Sequence, residues 1–192
     1  MDRKIILGLF ATLLFLSACS DGDKYRAEQS SIDSLVTALK KAKNEFEKAP
    51  YEEAEEAEKK ARAQLSEIQK LVRDTLNRRA ALLIGQYANI TRKEEDEADA
   101  GKSDFAEKEI DYIIKELNFS ISQLENLKHD LISGNMPAET FRKHLSNEQK
   151  ASDRIIRVAE MKRFRWKQIV ELKDSLESDI VQLTDSLRNI KK

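Results

Sequence analysis

Apolar residues recur at alternating intervals of three and four positions along most of this chain. The first such set is Ile32, Leu35, Leu39, Ala42 and Phe46. This spacing places about one apolar side chain per helical turn on a single stripe, which must be buried against another helix. Only 5 glycines and 2 prolines interrupt the 192 residues, and 36% of the residues are charged. The sequence therefore predicts an all-α fold: an elongated antiparallel helical bundle or coiled coil of about four helices.

Prolines, glycines and capping patterns divide this stripe into the predicted helices. The first covers about residues 24–48 and ends at a proline. The second covers about residues 51–97 without a break, and its stripe begins with three alanines, which favours close approach of another helix. The third covers about residues 104–133 and ends at Gly134, and the fourth runs from Ala138 to the C-terminus.

Two positions leave the helical prediction open. Ser146 and Gln149 form a capping-box pattern, so the fourth helix is either continuous or jointed near Ser146. Gly85 lies inside the second predicted helix, at a cost of about 1 kcal/mol relative to alanine. With Ala81 and Ala88, this glycine either forms a flat spot against a bulky side chain or is simply tolerated.

The N-terminus carries a different pattern. Residues 5–16 form an apolar run of about 12 positions, which is shorter than the roughly 20 that a helix needs to span a bilayer and fits the apolar region of a secretory signal. The run leads into Leu16-Ser17-Ala18-Cys19, which contains the only cysteine of the chain. This motif resembles the lipobox of bacterial lipoproteins. The alternatives are a plain secretory signal or a buried N-terminal helix, and a buried helix would need a polar face that this run lacks.

The lipobox resemblance implies how the chain is divided and where it is attached. It implies that Cys19 is acylated on sulfur, that the chain is cut before this residue, and that the new N-terminus is held by lipid. Residues 1–18 are then a signal peptide, residues 19–24 are the acylated cysteine and a tether, and residues 25–192 form the helical bundle domain. We therefore expect the protein to contact the membrane through this N-terminal lipid.

Short motifs near and beyond Cys19 indicate a location. Ser20-Asp21-Gly22-Asp23 resembles the acidic tags of surface lipoproteins in Bacteroidetes, and four Asp-Ser/Thr-Leu tripeptides resemble the O-glycosylation sites of the same bacteria. The resemblance implies a lipid-anchored protein of the cell envelope, at the outer membrane on its periplasmic or surface-exposed face.

Patterns for catalysis, metals and cofactors are weak in this sequence. Glu125 precedes His129 by four residues, whereas di-iron bundles space this pair by three. An EF-hand-like loop that starts at Asp96 has Ala98 and Ala100 where calcium ligands are needed. We therefore expect no metal, no cofactor and no enzymatic activity. The formal net charge of −1 also predicts no binding to nucleic acid.

One stretch combines basic and aromatic residues, and we call it the basic-aromatic patch. Its members are Arg154, Arg157, Lys162, Arg163, Phe164, Arg165, Trp166 and Lys167. It could bind an anionic glycan, a lipid headgroup or an acidic partner helix. In the other interpretation, Trp166 packs in or beside the core and the cations pair with acidic faces of neighbouring helices.

The lengths of the predicted helices suggest a second surface. At 1.5 Å per residue they span about 37, 70, 45 and 80 Å. In an up-down-up-down path, roughly the last 28 residues of the fourth helix would have no partner in a monomer. The apolar stripe of this end, which we call the association seam, is Ile169, Leu172, Leu176, Ile180, Leu183, Leu187 and Ile190. A bend that folds the fourth helix back onto the second would remove this prediction.

Taken together, these patterns favour a lipid-anchored envelope lipoprotein that acts as a non-enzymatic scaffold, spacer or protein-interaction module. Its expected partner is a second copy of the chain or another envelope protein, bound through the association seam. The alternative is a ligand-binding lipoprotein that holds an anionic glycan or lipid through the basic-aromatic patch.

Overall fold

The computed structural model describes residues 25–72, 76–91 and 104–190, and the side chains of residues 104–107 and 190 are not included in that description. Five helices lie in these ranges. They are α1 (Arg26–Glu47), α2 (Tyr51–Leu71), α3 (Arg78–Ala88), α4 (Asp104–Ser133) and α5 (Ala138–Ile190). The described ranges contain no strand, so the predicted all-α helical bundle is confirmed. None of the described helices carries an apolar stretch long enough to cross a membrane. The lipobox with Cys19 and the stretch from Asp96 that was rejected as a calcium site lie outside the described residues, apart from the last backbone positions of that stretch.

Most predicted helix ends are confirmed, and the end of α4 shows the physical reason. Gly134 has a φ angle of 67°, a left-handed conformation that glycine adopts without steric cost. The amide of Gly134 donates to the carbonyl of Leu131 at 3.3 Å, and the amide of Asn135 donates to the carbonyl of Asp130 at 3.1 Å. These two bonds form a Schellman motif, which satisfies carbonyls at the C-terminus of α4.

The predicted unbroken helix over residues 51–97 is wrong. It is divided into α2 and α3, because Val72 leaves the helix with an extended backbone (ψ 119°) and a new helix starts after Asn77. The side chain of Asn77 accepts a hydrogen bond from the amide of Ala80 at 2.9 Å, which satisfies one of the free amides of the new helix. The chain can therefore reverse here and return along α2.

The other two open positions are also resolved. α5 is helical through Ser146, so the fourth predicted helix is continuous rather than jointed. Gln149 lies inside α5, and its side-chain amide donates to the hydroxyl of Ser31 on α1 at 3.4 Å. A Cβ atom added to Gly85 would meet nothing within 4 Å. The described chain therefore places no bulky side chain against this glycine, which favours simple tolerance.

The chain divides into two compact units. Unit 1 contains the described residues 25–42 and 114–156, and unit 2 contains 43–72, 76–91, 104–113 and 157–190. Each unit has a buried apolar core of its own.

Unit 1 consists of most of α1, most of α4 and the first part of α5. α1 and α5 run parallel, because Glu28 pairs with Arg142 at 3.7 Å and Ser31 accepts from Gln149 further along. α4 runs antiparallel to them, because Lys128 pairs with Asp33 at 2.6 Å and Glu125 pairs with Lys40 at 3.0 Å. The buried residues of this core are mostly aliphatic: Ile32, Leu39, Ala42, Leu117, Ser120, Ile121, Leu124, Leu127, Leu131, Phe141, Leu145, Ser152 and Ile155.

Unit 2 is built mainly on α2, α3 and the last part of α5. α2 runs parallel to α5, because Lys60 pairs with Glu177 and Glu67 pairs with Arg188 at 2.6 Å. α3 returns antiparallel to both, and the hydroxyl of Tyr87 donates to the side-chain oxygen of Gln64. The main buried cluster consists of Ala54, Ala57, Ala61, Ile68, Tyr87, Ile90, Ile169 and Ile180.

Candidate functional site

The association seam lies in the core of unit 2. Ile169 is 1% exposed and Ile180 is 0% exposed, and both belong to the buried cluster with the alanines of α2. Leu172, Leu176 and Leu187 are partly buried and pack against the same cluster. Leu183 is half-buried, and the side chain of Ile190 lies outside the described residues. The seam therefore packs within the chain.

The expectation that this seam has no partner in a monomer is wrong. It assumed that the second predicted helix runs antiparallel to the first and that only a bend could bring the fourth helix onto it. In unit 2, α2 packs along the last part of α5 and covers the seam, and the alanines at the start of α2 allow close contact. Association of the seam with a second copy stays a prediction, now confined to the partly exposed edges of its leucines.

Trp166 is the centre of the basic-aromatic patch, and it contacts two other aromatic rings. The centroid of its ring lies 5.3 Å from that of Phe46 with a tilt of 42°, and 5.4 Å from that of Tyr51 with an edge-to-face angle of 63°. Such tilted contacts suit the charge distribution of aromatic rings. The short connection at Ala49-Pro50 positions this site, since Phe46 lies in the last turn of α1 and Tyr51 begins α2.

The cations beside Trp166 are bound to groups of the chain itself. Lys162 pairs with Glu109 at 3.1 Å, and Arg163 pairs with Glu45. Arg165 donates to the backbone carbonyl of Asn89 at 2.7 Å. On the surface of α5, Lys167 pairs with Glu171 at 3.6 Å. This is the arrangement of the second interpretation, in which the aromatic ring packs by the core and the cations join neighbouring helices.

The rest of the patch is solvent-exposed. Arg157 is exposed, and Phe164 leaves 62% of its surface to solvent, with Met161 at 55% on the same side of α5. Arg154, which belongs to unit 1, is also exposed. Residues seven apart on a helix lie on one face, so Arg157 and Phe164 form a small apolar and basic surface of unit 2. Sequence reasoning found Phe164 but missed Met161, because the patch was recognised by its basic and aromatic residues and a methionine is neither.

An ionic cluster that sequence reasoning missed lies beside Tyr87. Glu177 accepts from Lys60 of α2 and from Lys173 one turn earlier on α5, the latter at 3.0 Å. These hydrogen bonds, first that of Lys60 and then that of Lys173, lower the pKa of the Glu177 carboxyl. Burial, and next the charge of Glu177, raise the pKa of the Tyr87 hydroxyl. The spacing of Lys173 and Glu177 was a visible signal for their pair, whereas the contact with Lys60 depends on the packing of α2.

Three smaller features concern histidines, metal ligands and an open groove. Both histidines, His129 and His144, are exposed, as expected of ordinary surface residues. Within the part of the chain whose side chains are described, no three His, Cys, Asp or Glu residues are arranged to hold a metal ion. An open groove of about 480 Å³ lies between α3 and α5, and Leu82, Leu83 and Leu176 are among its lining residues.

We compared the chain with protein-family models, curated proteins and solved structures. No family model, no curated protein and no solved structure matches this chain.

Proposed function

We propose that this protein is a lipid-anchored lipoprotein of the cell envelope, held at the outer membrane, that acts as a non-enzymatic scaffold, spacer or protein-interaction module. The observation that carries the proposal is the motif Leu16-Ser17-Ala18-Cys19, which stands at the end of the apolar run formed by residues 5–16. A thiol placed after small residues is what S-acylation at a lipobox requires. The membrane, through the N-terminal lipid, is the first partner, and a second copy or another envelope protein is the second.

The packing of the helical body supports a structural role. Ionic side chains in unit 1 join α1 to α4 and α5 through Asp33 and Glu28. In unit 2, Trp166 and the cations next to it are the side chains best suited to bind a ligand, and they contact other helices of the chain. A chain that uses its charged and aromatic groups in this way suits a rigid module better than a ligand-binding site.

The anchor is tested by producing the full chain in a bacterium that processes lipoproteins. We expect incorporation of a palmitate analogue and recovery in the membrane fraction, because acyl chains bury enough apolar surface to hold a protein on a bilayer. Cys19→Ser should abolish both, while the matched control Ser20→Ala should retain both. A wild-type chain that carries no lipid, or whose mature N-terminus is not Cys19, would contradict the anchor.

The ligand-binding alternative is tested with the fluorescence of the single tryptophan. We expect a blue-shifted spectrum that does not change when a sulfated glycan or anionic vesicles are added to residues 20–192. The reason is that Trp166 packs against Phe46 and Tyr51. A saturable change in emission would instead support the ligand-binding lipoprotein.

A further inference from the structure

The end of unit 1 where the described chain begins is also the end that carries the turn between α4 and α5. Glu28, in the first turn of α1, pairs with Arg142, near the start of α5, at 3.7 Å. Because α1 and α5 are parallel, their N-termini lie side by side. The turn over residues 134–137 precedes α5 directly, so it lies at the same end as Tyr25. We call this region the N-terminal end of unit 1.

Ile132 is the most exposed large apolar residue of this end, since 63% of its surface faces solvent. It lies in the last turn of α4, and other apolar residues of this end are buried: Leu131 is 4% exposed and Phe141 is 1% exposed. The Schellman motif at Gly134 fixes the turn that follows. Next in the chain come Met136, which is half-buried, and Pro137, which is exposed.

Single exposed apolar residues are common on protein surfaces, and the place of Ile132 is what distinguishes it. Cys19 lies six positions before Tyr25 in the sequence. At no more than about 3.6 Å per residue, six residues reach at most about 22 Å. An acylated Cys19 is held at the boundary between headgroups and acyl chains. The N-terminal end of unit 1 would therefore be kept within about 22 Å of the bilayer, at a high effective concentration.

We propose that the N-terminal end of unit 1 rests on the bilayer surface and that Ile132 inserts among the lipid headgroups. This inference rests on the proposed acylation of Cys19. The lipid surface is the occupant because only six residues separate Cys19 from Tyr25 at this end, whereas no feature of the described turn selects a particular protein.

The charges near Ile132 indicate that the contact is apolar rather than electrostatic. Arg142 is paired with Glu28, and Lys128 is paired with Asp33. The exposed Lys143 is balanced by the exposed Glu139 in the same turn of α5. Arg26 in the first turn of α1 and Asp130 in the last turn of α4 carry opposite charges. The described residues of this end therefore have no net excess of basic side chains, and the contact gains little from anionic lipids. It should persist at about 1 M salt, where the screening length falls to about 3 Å.

The test uses the full chain, acylated in the cell and transferred to phosphatidylcholine vesicles that contain a lipid with a nitroxide on its headgroup. Acylation blocks the thiol of Cys19, so Ile132→Cys supplies the one thiol for an environment-sensitive fluorophore. The matched control is Asn118→Cys, an exposed position of the same unit. It lies 14 residues earlier on α4, about 21 Å away along the helix.

We expect the label at position 132 to be quenched several-fold more strongly than the label at position 118, and we expect the difference to survive high salt. Equal quenching at both positions, on vesicles that carry the protein, would overturn this inference and leave the anchor intact. A difference that disappears in salt would overturn the apolar contact. A chain that does not float with the vesicles would overturn the proposed acylation, and this inference with it.

Discussion

Units 1 and 2 bury their apolar stripes with different residues. In unit 1, large aliphatic side chains come from all three helices, as Leu39, Leu117 and Leu145 illustrate. In unit 2, the first half of α2 contributes the small residues Ala54, Ala57 and Ala61, and the larger members of the same cluster are Ile68 further along α2, Tyr87 on α3 and isoleucines on α5. The spacing of the stripe is the same in both units, but the distribution of volume is not.

This difference shows that the spacing of a stripe and the size of its residues carry separate information. Spacing determines which side of a helix is buried. Size determines what can approach it, because protein cores are filled to a nearly constant density and small side chains must face large ones. Unit 2 therefore depends on contacts between unequal partners, whereas unit 1 depends on many contacts of similar size. Substitutions in the two units test this difference, and those that should change stability most come first.

Removing a large side chain from the core of unit 1 should have the greatest effect. We expect Phe141→Ala to lower the free energy of unfolding by about 3–5 kcal/mol, because it removes buried apolar surface and leaves a cavity. Urea unfolding followed by circular dichroism measures this change. The control is Phe164→Ala, an exposed phenylalanine on the same helix, with an expected change within about 0.5 kcal/mol. Similar losses for the two variants would contradict the described core.

Adding volume to the alanine stripe of unit 2 should cost less. We expect Ala57→Leu to lower the free energy of unfolding by about 1–3 kcal/mol, because neighbouring side chains must move to accept it. Ala63→Leu, an exposed position on α2, should change stability within about 0.5 kcal/mol. If Ala57→Leu is neutral or stabilising, α2 does not lie close to α5, and the contrast between the units fails.

The two units also differ in the hydrogen bonding of a buried hydroxyl group. The hydroxyl of Ser152 in unit 1 is buried and has no hydrogen-bond partner in the described structure. In unit 2, the hydroxyl of Thr184 donates to the carbonyl of Ile180 at 2.8 Å. An unsatisfied buried group is costly, so Ser152→Ala should raise the free energy of unfolding by about 1 kcal/mol. Thr184→Val should give no gain. Thermal unfolding of both variants decides this, and a loss for Ser152→Ala would mean that its hydroxyl is bonded.

The smallest expected effect is the pH dependence of the ionic cluster in unit 2. The pKa of Glu177 is lowered from an ordinary value of 4.5, so the unfolded chain binds the proton more tightly. The contribution of Glu177 to stability is therefore complete above pH 4.5 and is lost as the pH falls through the lower pKa of the folded state.

We expect Glu177→Gln to flatten this part of the acid unfolding curve and to cost less than about 1 kcal/mol at neutral pH, as for other ion pairs near a surface. Urea unfolding at a series of pH values measures both changes. Glu160→Gln, which replaces an exposed carboxylate in the middle of α5, is the control and should leave the curve as it is. An unchanged curve for Glu177→Gln would show that the lysines do not act on Glu177 in solution.

The prediction failed where the chain interrupts a helix without glycine or proline, and it stayed open where a capping pattern lies inside a helix. The break after Leu71 depends on Asn77 as a cap, but asparagine also occurs inside helices, so its presence alone decided nothing. Conversely, Ser146 and Gln149 have the spacing of a cap and lie within α5, because Gln149 bonds to Ser31 on another helix. The same spacing serves a cap or a helix interior, and the surroundings select one.

For the basic-aromatic patch, the sequence showed which residues are present but not which groups they contact. Lysines and arginines near Trp166 were compatible with a ligand or with acidic neighbours. Glu45 and Glu109, which pair with two of these cations, are distant from them in the sequence. The choice between the two interpretations depends on contacts between α5 and other helices, and no local pattern records them.

The sequence by itself determined the helical class, the buried side of each helix, and the ends of α1 and α4. These properties depend on residues within one or two turns of one another. It also carries the lipobox resemblance on which the proposed anchor depends. Only the tertiary structure decided that α2 runs parallel to the last part of α5, that the association seam is covered, and that Trp166 packs against Phe46 and Tyr51. The physical reason is that periodicity reports that a helix has an apolar face, whereas the helix that covers this face depends on where the chain reverses and on which side chains fit together.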